Sequence, residues 1–159
     1  MQNKFPLQFD AVISAPFGAV GLMLHGEQVT MEYLVEKLPS KRAESKILSE
    51  VAKQIEAYFA DAKHEIKLPL KLNGTDYQNR VWKVISAIPR GQVLTYGQIA
   101  DQIGSGARAV ANACGANNLP LFIPCHRVVA RNGIGGFMQG DPSGLNIKKW
   151  LLRHEGVEV

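Results

Sequence analysis

Pro124-Cys125-His126-Arg127 sets a thiol beside an imidazole and a guanidinium. Neighbouring cationic groups favour the thiolate, and the thiolate is the nucleophilic form of cysteine, so this run can support nucleophilic chemistry at sulfur. In an extended segment adjacent side chains point to opposite faces. Contact between Cys125 and His126 therefore needs a turn or a bridging water. A bare Cys-His dipeptide is also what a buried, inert cysteine looks like, so the surrounding sequence has to decide. The second cysteine, Cys114, lies among small residues and reads as packing. Two cysteines and four histidines in these positions form no zinc cluster, and no metal or organic cofactor is expected.

The elements that must position these side chains fall into two halves, with a boundary at Asn73-Gly74 and domains of residues 1–72 and 73–159. In the first half, Val20 to Leu24 is an apolar run, His25-Gly26 supplies a turn, and Val29, Met31 and Tyr33 alternate with polar residues, which predicts antiparallel strands. Ile47, Leu48, Val51, Ile55, Tyr58 and Phe59 recur at helical spacing and predict one amphipathic helix over about Glu44 to Phe59. Ile66 to Leu72 alternates again, but Pro69 favours an edge strand or an extended linker. The second half is mostly helical. Thr75 with Gln78, and Thr95 with Gln98, are capping-box patterns ahead of apolar helical runs, and Pro89-Arg90-Gly91 ends the first of these helices. Gly104-Ser105-Gly106 makes a tight turn before an alanine-rich helix from Arg108 to Asn117, which gives a helix-turn-helix pattern. Ile147, Trp150, Leu151 and His154 share one stripe of a last helix, and Gly156 is placed to end it.

The 159 residues, with 46% hydrophobic and 20% charged content, can form a real core. The stretch Ala11 to Leu24 is broken by Ser14, Pro16, Gly18 and Gly21, so it is no membrane span, and nothing resembles a secretory leader. A soluble, reducing, cytoplasmic protein with no membrane partner is expected. The net charge of +4 is unevenly spread: nine basic against nine acidic residues before Asn73, and nine against five from there on. A polyanion is a plausible partner for the second half.

Three separated segments carry a resemblance. Thr95-Tyr96-Gly97-Gln98-Ile99-Ala100, Pro124-Cys125-His126-Arg127-Val128-Val129 and Lys149-Trp150-Leu151-Leu152-Arg153-His154-Glu155-Gly156, in that order, resemble the O6-alkylguanine-DNA alkyltransferase (methylated-DNA-protein-cysteine methyltransferase) family. The match runs from about Tyr77 to Gly156. It implies an α+β fold: a small N-terminal antiparallel sheet with a helix, ribonuclease H-like, followed by a C-terminal helical winged helix-turn-helix domain. It implies a monomer that acts on double-stranded DNA containing alkylated guanine, through minor-groove binding and base flipping. Cys125 would be the nucleophile and permanent alkyl acceptor, His126 its base through a water, and Glu155 the acid that orients the imidazole. Tyr96 would rotate the nucleotide's phosphate and protonate the departing base. Arg108 would occupy the vacated stack, Ala109, Ala111 and Ala113 would offer small side chains where the helix approaches DNA, and Ala107 and Arg127 would add to the DNA-binding set. Asn117 would tie the recognition helix to the active-site segment, and Gly136, Phe137 and Met138 would form the substrate lid. The lid departs from the family pattern: Phe137 stands where tyrosine is common, Met138 where some members have serine, and Asp141-Pro142-Ser143-Gly144 lengthens it.

Other readings compete. A protein that recognises alkylated bases without repairing them has no use for Cys125, and a winged-helix regulator needs neither Pro124-Cys125-His126-Arg127 nor Glu155. A cysteine hydrolase requires a histidine better placed than its immediate neighbour. The accepted alkyl groups and activity on O4-alkylthymine are not legible in the residues.

Overall fold

The computed structural model describes residues 8–67, 71–138 and 142–159. It is of the α+β class, and its contacts divide the chain into two compact units, Met1–Leu70 and Lys71–Val159. Asn73-Gly74 lies just inside the second unit.

The first unit is a three-stranded antiparallel sheet with one helix. Strands β1 (Ala11–Ala15), β2 (Gly18–His25) and β3 (Gln28–Leu34) run in the order β1-β2-β3, with Ala15 opposite Gly18 and His25 opposite Gln28 at the two turns. The central strand β2 is buried from Gly18 to Leu22, as expected of a strand covered on both faces. Phe9 packs directly over Gly21, where a Cβ would come within 2.5 Å of its ring, so the apolar run is interrupted at Gly21 to admit an aromatic side chain. Phe9, Val12, Ala19, Leu34 and Leu38 form one core cluster. Helix α1 (Lys46–Ala60) starts at Ser45, whose hydroxyl accepts from the Leu48 amide, and it turns Leu48, Val51, Ile55 and Tyr58 inward against β1 and β2. Ile66, Lys67, Lys71 and Leu72 belong to no helix or strand, and Leu68 to Leu70 lie outside the described residues, so of the two readings of this segment, an edge strand or an extended linker, no strand is found among the residues described.

The second unit is built from four helices and a short two-stranded ladder. Helix α2 (Asp76–Ser86) and helix α3 (Tyr96–Ile103) both begin with complete capping boxes, Thr75 with Gln78 and Thr95 with Gln98. Gly104 ends α3 in the left-handed region (φ 66°), the conformation a helix stop of this kind requires. Helix α4 (Ala107–Gly115) follows three residues later, starting one residue before the expected span and ending two residues before Asn117. Helix α2 braces this pair: the Trp82 indole N–H donates to Ala113 O (2.9 Å), Arg80 donates to Ile103 O (2.7 Å), and the Tyr77 hydroxyl bonds Ser105 Oγ (2.7 Å). Leu94–Thr95 (β4) pairs in parallel with Val128–Val129 (β5), a ladder too short to leave a periodic signature. Helix α5 (Pro142–His154) closes the unit. Its buried face is Gly144, Ile147, Lys148, Leu151 and Leu152, while Trp150 and His154 stack on each other on a partly exposed flank. The stripe read from the sequence thus mixed two faces of the helix.

Candidate active site

Cys125, His126 and Arg127 form one turn of 3-10 helix, which resolves the steric problem of adjacent side chains: the three diverge around a turn instead of alternating across a strand. Cys125 is 6% exposed and His126 1% exposed. The turn is entered through a strained loop, with Leu121 buried at φ 72°, a conformation that costs a non-glycine residue about 1–2 kcal/mol. Asn117 holds this loop. Its amide Nδ2 donates to Ile123 O (2.8 Å) and to Cys125 Sγ (3.1 Å), while its Oδ1 accepts from the Leu119 amide (2.8 Å). One side chain at the end of α4 therefore fixes the loop and touches the reactive sulfur.

Glu155, just past α5, is the hub on the other side. It is 4% exposed, and its Oε2 lies 2.8 Å from His126 Nε2. Arg127 grips the same carboxylate with two donors, Nε to Oε1 (2.9 Å) and Nη2 to Oε2 (3.0 Å), and spends Nη1 on Ile88 O (2.7 Å). The sequence reading grouped Arg127 with the DNA-binding residues; in the structure its guanidinium is committed to Glu155 and Ile88. The acid is no surface carboxylate misplaced at a helix end: it is buried and paired. Since a carboxylate accepts, the hydrogen is assigned to Nε2, and His126 Nδ1 is left as the acceptor nitrogen. Nδ1 is buried with no hydrogen-bond partner among the described residues. Burial pulls the His126 pKa below its ordinary value, Glu155 partly opposes this, and the Arg127 and Lys148 charges add to the lowering, so the ring is neutral at neutral pH.

Lys148 and Cys114 are site residues that sequence reasoning missed or misread. Lys148 is fully buried (0% exposed) and donates to Val128 O (2.7 Å) and Gly136 O (3.0 Å), tying β5 to the segment around Gly136. Its signal was available: Lys148 falls between Gly144, Leu151 and Glu155 at helical spacing, on the face that turns inward. Burial lowers its pKa to about 8, opposed by the nearby Cys114 and Cys125 sulfurs. The Cys114 and Cys125 thiols shift one another's ionisation. The Cys114 thiol, followed by burial, holds Cys125 well above the usual thiol range, while Cys125 lowers Cys114. Two thiols that interact in this way share the first charge and resist the second. The Asn117 amide and the Lys148 ammonium are what favour charge on Cys125.

Tyr96 is the first residue of α3, and its hydroxyl donates to Gly136 O at 3.4 Å, a long bond. Burial, followed by the Cys114 and Cys125 sulfurs, raises its pKa to about 12, so the phenol keeps its proton throughout the physiological range. Gly135 (φ 80°) lies against this ring, where a Cβ would sit 3.1 Å from Tyr96 Cε2. Of the lid residues, Phe137 stands with its ring 5.8 Å from Lys148 Nζ, and Met138 adopts a left-handed φ of 51° against Gly144. Pro142-Ser143-Gly144 form the first turn of α5; Gln139, Gly140 and Asp141 lie outside the described residues. Ala107 and Arg108 are exposed at the start of α4, and Ala109 is half-buried.

Comparison with known proteins agrees with the motif order. Residues 76–157 match the family model described as the 6-O-methylguanine DNA methyltransferase, DNA binding domain. The chain is similar to methylated-DNA–protein-cysteine methyltransferase of Mycobacterium bovis, 39% identical over 150 residues covering 90% of this chain and 89% of the relative. A relative of that name from Methanosarcina acetivorans is 34% identical over 92% of this chain and 97% of its own length. Among solved structures, Mycobacterium tuberculosis O6-methylguanine methyltransferase superposes with a TM-score of 0.75 at 37% identity, covering 91% of this chain and 90% of that one. The complex of the Mycobacterium tuberculosis protein with DNA gives 0.74 at 38% identity, with the same coverage. A match over half the chain by domain model and over nine-tenths of it by full-length relatives leaves one assignment: the chain belongs to the methylated-DNA–protein-cysteine methyltransferase family.

Proposed function

We propose that this protein repairs DNA by transferring the alkyl group of O6-alkylguanine in a duplex to Cys125, once per molecule. The observation that carries the reading is the placement of a buried cysteine, held by Asn117, in the same 3-10 turn as a histidine paired with Glu155, within a chain of this family. Cys125 gives its proton to His126 Nδ1 through a water, and the resulting imidazolium is stabilised by Glu155. The thiolate attacks the alkyl carbon, the S–C bond forms as the C–O6 bond breaks, and the electron pair leaves with guanine. Tyr96, protonated because its pKa is raised, supplies the proton that neutralises the departing base and regains one from solvent. A thioether has no nucleophile here to release it, so the protein is consumed.

Access to the base follows from the helix pair α3–α4, read as a helix-turn-helix within a winged domain, with the first unit ribonuclease H-like. Arg108, exposed near the start of α4, fills the space of an extruded nucleotide, and Ala107 and Ala109 allow the helix close to the groove. The protein acts as a monomer in the cytoplasm; no helix among the described residues is long and apolar enough to cross a membrane. No metal or organic cofactor takes part in the step as written.

The test is the intact mass after incubation with a duplex carrying one O6-methylguanine, with peptide mapping and a Cys125→Ser control. Gain of one methyl group on Cys125, absent from the control, is expected. An unchanged mass with tight lesion binding would reduce the protein to a recognition module.

A further inference from the structure

Arg127 takes no part in the bonds made and broken above, yet three of its donors are committed on the far side of the base that takes the Cys125 proton. Nε reaches Glu155 Oε1 (2.9 Å), Nη2 reaches Glu155 Oε2 (3.0 Å) and Nη1 reaches Ile88 O (2.7 Å). Glu155 Oε2 is the same oxygen that lies 2.8 Å from His126 Nε2. A planar guanidinium that meets a carboxylate with two donors fixes the plane of that carboxylate as well as balancing its charge. It therefore also fixes the oxygen on which the imidazole rests. The Glu155 side chain is 0% exposed and that of Arg127 15%, so bulk water cannot take over this task. The carboxylate also stands just past the C-terminal end of α5, where the helix dipole opposes a negative charge and a neighbouring cation offsets it.

We propose that Arg127 is a positioning residue for the alkyl transfer: by holding Glu155 as a carboxylate it keeps the hydrogen of His126 on Nε2 and leaves Nδ1 empty for the proton of Cys125. The reason lies in where a proton would otherwise go. Without the guanidinium, a buried carboxylate beside a neutral imidazole takes up a proton from solvent. If the imidazole holds that proton, both ring nitrogens carry hydrogen. If the carboxyl holds it, its O–H donates to Nε2, and the ring's own hydrogen has to sit on Nδ1. Either way Nδ1 is occupied and cannot receive the thiol proton. Burial is the largest influence that keeps the ring neutral, Glu155 works against it, and Arg127 and Lys148 work with it. Lys148 comes from α5 and gives its hydrogen bonds to Val128 O and Gly136 O, so the cation paired with the carboxylate is Arg127.

The inference rests on the alkyl-transfer reading for the use made of Nδ1, but not for where the hydrogen sits, so the experiment on the full chain has two arms. Nitrogen NMR of labelled histidines, assigned with His126→Gln, reads both ring nitrogens of the resting protein with no DNA present. Wild type at neutral pH should show Nε2 with hydrogen and Nδ1 without. Arg127→Met should show hydrogen on Nδ1, retained to a pH about one unit or more above wild type. The second arm follows single-turnover methyl transfer from a duplex carrying O6-methylguanine as pH is varied. The rising limb of the Arg127→Met profile should move up by the same interval, a loss of about tenfold on that limb which higher pH recovers. Arg127→Lys, which keeps the cation and gives up the fork, should leave the limb near that of wild type. Lys148 is unchanged in all of these proteins, so its own titration cancels in the comparison. Should Arg127→Met fold poorly, wild type and Arg127→Lys still decide, because hydrogen on Nδ1 of the wild-type protein at neutral pH overturns the proposal outright. It is equally overturned if Arg127→Met keeps an empty Nδ1 and loses rate evenly at every pH, as a purely structural brace would. Nitrogen signals as expected with no methyl transfer by any of the proteins would support the placement of the hydrogen and remove the alkyl-transfer reading instead.

Discussion

At the scale of single residues, Glu155 carries more of the architecture than any other side chain in the site. Its carboxylate satisfies His126 and two donors of Arg127 in a buried setting. Removing one partner of a buried pair strands the other charge, at a cost of about 3–5 kcal/mol. Glu155→Gln should therefore lower the urea unfolding free energy by about that amount, as well as slowing alkyl transfer. A loss below about 1 kcal/mol would mean that Arg127 is solvated and the pairing adds little. His126 supplies a pH signature. Its pKa is lowered in the fold, so the unfolded chain takes up a proton near 6.5 while the native ring stays neutral. The stability this neutral ring contributes is present above 6.5 and is lost as pH falls through the lower native value. Unfolding midpoints should hold steady from pH 8 to about 7 and drop towards about pH 5. His126→Gln should flatten that drop; an equally steep fall in the variant would assign it to other groups. Cys125, His126 and Glu155 were all legible as residue types in order. Arg127 was legible as a cation but not as the partner of an acid 28 residues away, because pairing across that separation leaves no local pattern.

At the scale of elements, the two capping boxes make a controlled comparison. Thr75 and Thr95 cap helices in the same way, and replacing either by Ala should cost about 1 kcal/mol. Only Thr95 stands directly before Tyr96 and in the ladder that joins β4 to the strand leaving the 3-10 turn. Thr95→Ala should thus also slow single-turnover alkyl transfer, while Thr75→Ala should shift only the melting temperature. Equal effects of both on the rate would show that general stability, not local placement, governs it. These helix starts were readable because caps are local chemistry, and the strands of the first unit because alternation has a short period. The β4–β5 ladder was not, since two residues a side have no period. Nor was the true inward face of α5, because Lys148 reads as a surface residue until two backbone carbonyls are found to hold it.

At the scale of the molecule, the basic excess of the second half should appear as electrostatics. Affinity for undamaged duplex should fall steeply with salt, with a slope of about −0.9 for each phosphate neutralised. Arg108→Ala separates access from chemistry: it should slow reaction with O6-methylguanine in duplex DNA at least tenfold, about 1.4 kcal/mol, and leave reaction with the free base unchanged. A loss with both substrates would place Arg108 in the fold of the site and not at the groove. The position of the hub acid has a different consequence, for the order in which the molecule is made. Glu155 follows His126 by 29 residues and is joined through Arg127 to Ile88, which precedes it by far more. A ribosome releases the thiol and its imidazole well before the carboxylate that orients them. The nascent chain therefore carries an unactivated sulfur, and a single-use acceptor is armed only when synthesis has passed the residue that completes it.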